Sequence, residues 1–191
     1  MKSLKGTRTE KNLLAAFAGE SQARNRYTYF ASAAKKAGFE QISAIFLETA
    51  ENEKEHAKKF FNALEGGNVE ITAAYPAGVV GDTACNLEQA AAGEHHEWTE
   101  LYKDFERVAT DEGFSEIARL FKEISEVEEQ HEYRYRKLLK NVKEGKVFKR
   151  DTVVKWHCRN CGYVHEGKDA PNKCPACAHP QAYYEVLAEN Y

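Results

Sequence analysis

The sequence has no apolar run approaching the roughly 18 residues of a membrane span, and its start, MKSLKGTRTEK, has no apolar stretch of the secretory kind. A soluble, cytoplasmic protein is expected. An excess of basic charge is also missing: 27 Lys and Arg face 30 Asp and Glu, a net charge of -3. That balance offers no field for nucleic acid or anionic lipid, so neither is an expected partner. No Gly-rich dinucleotide fingerprint opens a strand-helix unit, so a nicotinamide reductant has to act through a separate reductase. Cysteine is scarce: four of the five are paired as Cys158-x-x-Cys161 and Cys174-x-x-Cys177, a metal-binding pattern rather than a disulfide framework. Cys85, alone near a helix start, reads as a small buried apolar residue.

What is present begins with a repeat. Leu13, Ala16, Ala18, Gly19 and Glu20 return 74 positions later as Leu87, Ala90, Ala92, Gly93 and Glu94. With one extra residue inserted, Gly38, Phe39, Ile42, Phe46, Glu53 and His56 return as Gly113, Phe114, Ile117, Phe121, Glu128 and His131. Each copy reads as two helices. Thr7-x-x-Glu10 is a capping box for the first, Gly38 ends it, and the second runs from about Gln41 to Glu65. The stretch GGNVEITAAYPAGVVGDT has no helical period and is too long for a tight turn, so it crosses over. The third helix begins near Asp82 or Thr83, and the fourth follows Gly113 and Phe114 and closes at Gly145. Two helical hairpins with one long connection predict a mainly α, ferritin-like four-helix bundle over residues 1–148. A small β-rich domain is expected over 152–191, where composition shifts to cysteine, glycine and aromatics.

Charged residues fall on the apolar stripes of all four helices. The series Ile117, Phe121, Ile124 continues through Glu128, His131, Tyr135 and Leu138, and Ile42, Phe46, Thr49 through Glu53, His56 and Phe60. The other two helices read Leu13, Ala16, Glu20, Ala23, Tyr27 and Leu87, Ala90, Glu94, Glu97, Leu101. An ionised carboxylate in a dry core costs several kcal/mol unless compensated, and on these stripes only Arg24, beside Ala23, keeps step. Bound cations are the economical answer. One Glu on each of two helices plus Glu-x-x-His on the other two is the ligand set of di-iron and di-manganese proteins. Glu20, Glu53, Glu94, Glu128, His56 and His131 already complete it.

Glu97 therefore exceeds the symmetric set, and its counterpart is Ala23. A fifth carboxylate is favoured when the metal pair becomes more positive, so Glu97 should bind the oxidised cluster more firmly. His95 and His96 lie about 100° and 200° round the helix from Glu94 and leave the stripe. Tyr27 stays on it, in reach of a ligating carboxylate or simply packed. Tyr102 is one residue off, which on spacing favours packing, and Trp98 reads as core. The two cysteine knuckles, twelve residues apart, make a tetrahedral site for zinc or iron, with His157, His165 and His179 peripheral. Cys161-Gly162-Tyr163 and Cys174-Pro175-Ala176-Cys177 resemble rubredoxin knuckles, although Ala178 stands where the second has Gly.

With Glu20, Glu53-x-x-His56, Glu94-x-x-Glu97, Glu128-x-x-His131 and the two knuckles in this order, the chain resembles the rubrerythrin family over nearly its full length. The resemblance implies three Fe per subunit: a non-haem di-iron site and one mononuclear iron held by Cys158, Cys161, Cys174 and Cys177. It implies a cytoplasmic homodimer that reduces hydrogen peroxide to water in oxidative-stress protection, fed by an external NAD(P)H-dependent reductase or rubredoxin. In that family one iron shifts between a His, here His56, and the extra Glu, here Glu97. Tyr27 and Tyr102 join Glu97 in the reaction through hydrogen bonds to ligating carboxylates. The alternative on the same bundle is a ferroxidase or iron-handling protein, disfavoured because storage needs no electron supply. An oxygenase lacks an evident substrate domain, and a non-enzymatic zinc-ribbon protein is separated from the others by metal analysis.

Overall fold

A computed structural model describes residues 2–190. Helices α1 (Arg8–Lys36) and α2 (Glu40–Ala63) form one hairpin. The second joins α3 (Thr83–His96), a five-residue π-helical turn (Glu97–Leu101) and α4 (Tyr102–Asp111), one continuous rod, to α5 (Ser115–Lys143). The four rods make a ferritin-like bundle. Among the described residues no helix is long and apolar enough to cross a membrane. Helix α1 starts where Thr7 Oγ1 accepts the Glu10 N–H, but the Glu10 carboxylate closes back on the Gly6 N–H, one residue ahead of the expected partner. Both hairpins turn at glycines in the left-handed region, Gly38 at φ 83° and Gly113 at φ 79°. At each, the next phenylalanine N–H reaches back five residues, Phe39 to Ala34 and Phe114 to Ala109, as a Schellman cap requires.

The core is divided. Ala23, Tyr27, Phe30, Ile42, Phe46, Leu87, Ala90, Tyr135 and Leu138 belong to one buried cluster, and Leu13, Ala16, Phe60, Tyr102, Phe105, Phe121 and Ile124 to another. Between these two sets, every rod contributes one buried glutamate: Glu20, Glu53, Glu94 and Glu128. Water is excluded from above and below this polar layer, with each fully buried phenylalanine contributing about 1.5–3 kcal/mol.

The C-terminal unit is a three-stranded antiparallel sheet, order β2-β1-β3, made of β1 (Lys149–Cys158), β2 (Val164–Asp169) and β3 (Tyr184–Val186). It begins at Lys149, ahead of residue 152. Trp156 faces His165 on one side and Val186 on the other, and is fully buried. Phe148 stacks on Phe39 of the bundle with centroids 6.0 Å apart.

The crossover between α2 and α3 has no helix or strand and is pinned near its middle and at its α3 end. Tyr75 donates to the Ala15 carbonyl at 2.7 Å, and its ring lies over Gly19, where an added Cβ would meet it at 3.6 Å. Asn86, fully buried, accepts from the Gly81 N–H at 2.8 Å and donates to the Gly81 carbonyl at 3.0 Å. Asp82 caps α3 by accepting the Cys85 N–H, which leaves Cys85 on the outer face: it is exposed, not buried as expected. Asn86→Ala strands both Gly81 groups. Urea unfolding of the full chain should show a loss of about 2–6 kcal/mol, at about 1–3 kcal/mol for each unsatisfied group.

Candidate metal centre

The repeat places the polar layer's ligands with two-fold pseudosymmetry. Glu20, Glu53, His56 and Glu128 bring one ligand atom each within 4.8 Å of one another, as do Glu53, Glu94, Glu128 and His131. Glu53 and Glu128 belong to both groups. His56 Nδ1 lies 2.9 Å from Glu128 Oε1 and 3.0 Å from Glu53 Oε2. His131 Nδ1 lies 2.7 Å from Glu128 Oε2 and 3.2 Å from Glu53 Oε1.

These approaches lack hydrogen-bond geometry. Both carboxylate oxygens of Glu53 and of Glu128, Glu20 Oε2, and the Nδ1 atoms of both histidines are buried without a hydrogen-bond partner. Buried polar atoms are almost always paired, so a convergence of orphans of this kind fits a cation pair held by oxygen and imidazole. The outer oxygens are satisfied. Tyr27 donates to Glu94 and Tyr102 to Glu20, each tyrosine crossing to the other copy's glutamate.

The electrostatics agree. Burial, then the neighbouring Glu128 and Glu53 carboxylates, push Glu20 well above its ordinary range; for Glu94, Glu53 precedes Glu128. Burial followed by the same two neighbours moves Glu97 to about 8. Burial disfavours charged imidazole, yet Glu128 and Glu53 overcome it and raise His56 to about 10 and His131 to about 9. Burial and the glutamate each one faces raise Tyr27 and Tyr102, which keeps both protonated as donors. Without cations the site is thus a proton sponge.

The one-residue insertion in the second copy is the π turn. Glu20 and Tyr27 are seven residues apart, Glu94 and Tyr102 eight, and the wide turn at Glu97–Leu101 absorbs the extra residue. Tyr102 is therefore the counterpart of Tyr27 and fully buried, while Leu101 drops to a half-buried position. The spacing argument, which favoured packing for Tyr102, assumed an unbroken α-helix. Its family-based assignment as a donor to a carboxylate matches the geometry. Trp98 is displaced as well: it is half-buried, not core, and its indole N–H donates to Glu132, a carboxylate also held by His95 and Arg136. His95 and His96 are exposed and belong to neither ligand group.

Glu97 opens the π turn, half-buried beside Glu94, and is in neither group. It lines a cavity of about 490 Å³ between α1, the crossover and the π turn. Arg26, a residue the sequence stripe passed over, also lines this cavity and lowers Glu97's proton affinity. The repeat offset changes from 74 to 75 between Glu97 and Tyr102, a signal that locates the bulge.

In the C-terminal unit the Sγ atoms of Cys158, Cys161, Cys174 and Cys177 lie within 4.8 Å of one another. Cys158 and Cys177 are 3.8 Å apart, and Cys161 and Cys174 3.7 Å. A tetrahedron with metal-sulfur bonds of about 2.3 Å has edges of about 3.8 Å, so four thiolates fit one ion. The knuckles are related: Gly162 N–H donates to Cys158 and Ala178 N–H to Cys174, both residues with positive φ. Ala178, at φ 60°, takes this turn without being glycine. The His179 N–H, the largest influence, helps lower the Cys177 thiol to about 6.

Stripped of metal, the bundle should lose stability as pH rises. Glu97, His131 and His56 bind protons more tightly folded than unfolded, so that contribution is present below their unfolded pKa values and is lost on passing about 8, 9 and 10. Thermal scans of chelated protein from pH 6 to 10 should show a falling Tm, and divalent iron added anaerobically should displace protons and flatten the profile.

A family model described as Rubrerythrin matches residues 11–139, and one described as Rubrerythrin, rubredoxin-like domain, matches 156–185. Rubrerythrin of Nitratidesulfovibrio vulgaris is 62% identical over 100% of both chains. Rubrerythrin of Porphyromonas gingivalis is 62% identical over 100% of this chain and 95% of its own. A solved structure of nigerythrin in a mixed-valence state aligns with a TM-score of 0.64 at 30% identity, covering 97% of this chain and 92% of that one. With a di-iron carboxylate and histidine site in its bundle and a four-cysteine cluster in its sheet, the chain belongs to the rubrerythrin family of oxidoreductases.

Proposed function

We infer that this chain is a non-haem di-iron peroxidase that reduces hydrogen peroxide to water in oxidative-stress protection. The observation that carries the reading is the position of Glu97. It stands on the turn that breaks the repeat's symmetry, beside a ligand set that is complete without it and on the wall of a cavity open to solvent. In this reading the bundle, residues 1–148, binds two irons through Glu20, Glu53, His56, Glu94, Glu97, Glu128 and His131. The unit at 152–191 binds a third through its four cysteines.

Held by these residues, an iron pair would supply two electrons together and a four-cysteine iron would replace them one at a time, so that with two protons one peroxide could become two waters without release of a radical. The chain's own residues do the rest. His56, in the group with Glu20, and Glu97 would be alternative ligands for one metal position, the carboxylate being favoured when that position is more positive. Glu97, with a pKa of about 8 in the metal-free site, holds a proton at the cavity wall and yields it as positive charge builds beside it. Tyr27 and Tyr102 hold Glu94 and Glu20 in place. Phe60 and Phe121, fully buried, help keep bulk water out of the layer. The electron donor is an external NAD(P)H-dependent reductase or rubredoxin, since the chain has no dinucleotide fingerprint. A homodimer and a cytoplasmic setting complete this reading, as the resemblance to the family implies.

The test is anaerobic stopped-flow mixing of the fully reduced protein with hydrogen peroxide and, separately, with oxygen. Oxidation should be much faster with peroxide, and Glu97→Ala should slow it about tenfold or more while six ligands retain both irons. Faster oxidation by oxygen would instead support a ferroxidase. Unchanged occupancy and rate in Glu97→Ala would remove Glu97 from the reaction.

A further inference from the structure

The cavity beside Glu97 is far larger than hydrogen peroxide needs. Its volume is about 490 Å³. At about 30 Å³ per water in the liquid, that is room for roughly sixteen waters, and cavities of this size hold organic ligands. Peroxide has two heavy atoms. The walls are largely apolar, with Ala15, Ile71, Ala74, Leu101 and Phe105 among them. The charged lining is unbalanced: Arg8, Lys11 and Arg26 against one acid, Glu97. Among the described residues none of these three cations has an ion-pair partner within 4.0 Å.

Two lining side chains also carry buried N–H groups with no hydrogen-bond partner, Asn12 Nδ2 and Arg26 Nε. An unsatisfied buried donor is costly, and both of these belong to residues that line the cavity. They mark opposite ends. Asn12 sits with Arg8 and Lys11 near the start of α1, and Arg26 lies fourteen residues further on, about 21 Å along the helix, where its charge faces Glu97.

We propose that this cavity binds an organic hydroperoxide bearing a carboxylate, and that the chain reduces it to the corresponding hydroxy acid. The inference rests on the peroxidase reading. The carboxylate pairs with Arg8, Lys11 and Asn12, and the alkyl stem lies along the apolar wall. The hydroperoxide group reaches Glu97, short of Arg26, whose charge faces that carboxylate. The O–O bond breaks, and two electrons from the reduced di-iron site and two protons convert ROOH to ROH and water. Hydrogen peroxide uses only the Glu97 end.

The matched probes are 10-hydroperoxydecanoate, decyl hydroperoxide and hydrogen peroxide, each mixed with reduced holoprotein, with decanoate binding followed by calorimetry. The acid should oxidise the protein with kcat/KM about tenfold or more above the neutral hydroperoxide, yielding one equivalent of 10-hydroxydecanoate. The double substitution Arg8→Gln with Lys11→Gln, at surface positions remote from the ligands, should bring that ratio close to one and weaken decanoate about tenfold. Equal rates for acid and neutral probes, with no decanoate binding, would overturn the inference while leaving rapid oxidation by hydrogen peroxide intact. Cation-dependent decanoate binding without oxidation by any peroxide would support the anion site and overturn the reduction, together with the peroxidase reading.

Discussion

Four glutamates share one water-free layer between two apolar clusters, and their mutual repulsion is the constraint to which the rest of the bundle answers. Left alone, the layer must take up protons: Glu20, Glu94 and Glu97 resist ionisation, and both histidines are raised into the charged form. Two cations remove the conflict together. They neutralise the shared carboxylates, satisfy the orphaned oxygens and imidazole nitrogens, and leave the outer oxygens to Tyr27 and Tyr102. A buried charge cluster is weak evidence for stability by itself. Here its geometry is evidence for an ion pair that the chain was built around.

The repeat supplies a symmetric answer to that constraint, and one inserted residue breaks it. By copying a Glu-bearing helix and a Glu-x-x-His helix, the chain obtains six ligands with little new information. The insertion then widens a single turn, keeps Tyr102 in phase with Tyr27, and leaves Glu97 where the first copy has only Ala23. A π turn of this sort is energetically poor in isolation and is usual at functional positions. At the local cost of the turn, one carboxylate outside the symmetric set lines the cavity under the crossover.

Much of this was legible in the sequence because the charges broke an otherwise apolar period. Glu53, His56, Glu128 and His131 could be assigned from their phase with Ile42, Phe46, Ile117 and Phe121, and the cysteine spacing spoke for itself. Three misreadings share a cause: a fixed 100° per residue does not survive a π turn. Tyr102, Leu101 and Trp98 all lie in or just after it, and their burial differs from what an unbroken helix requires. Cys85 was misjudged because capping by Asp82 sets the helix phase at that end. Arg26 and Asn12 had no periodic signal. Their role depends on where a crossover without regular structure settles, which spacing along a helix does not encode.

The central claim is that the inserted residue, through the π turn, is what makes Glu97 reactive. It is tested most directly by deleting Thr99, which restores the seven-residue spacing of the first copy. The account predicts that helicity, two irons per bundle and the Tyr102–Glu20 bond are all retained, while oxidation of the reduced protein by peroxide slows about tenfold or more. Retention of the full rate in a deletion variant whose structure shows an unbroken α-helix would contradict it.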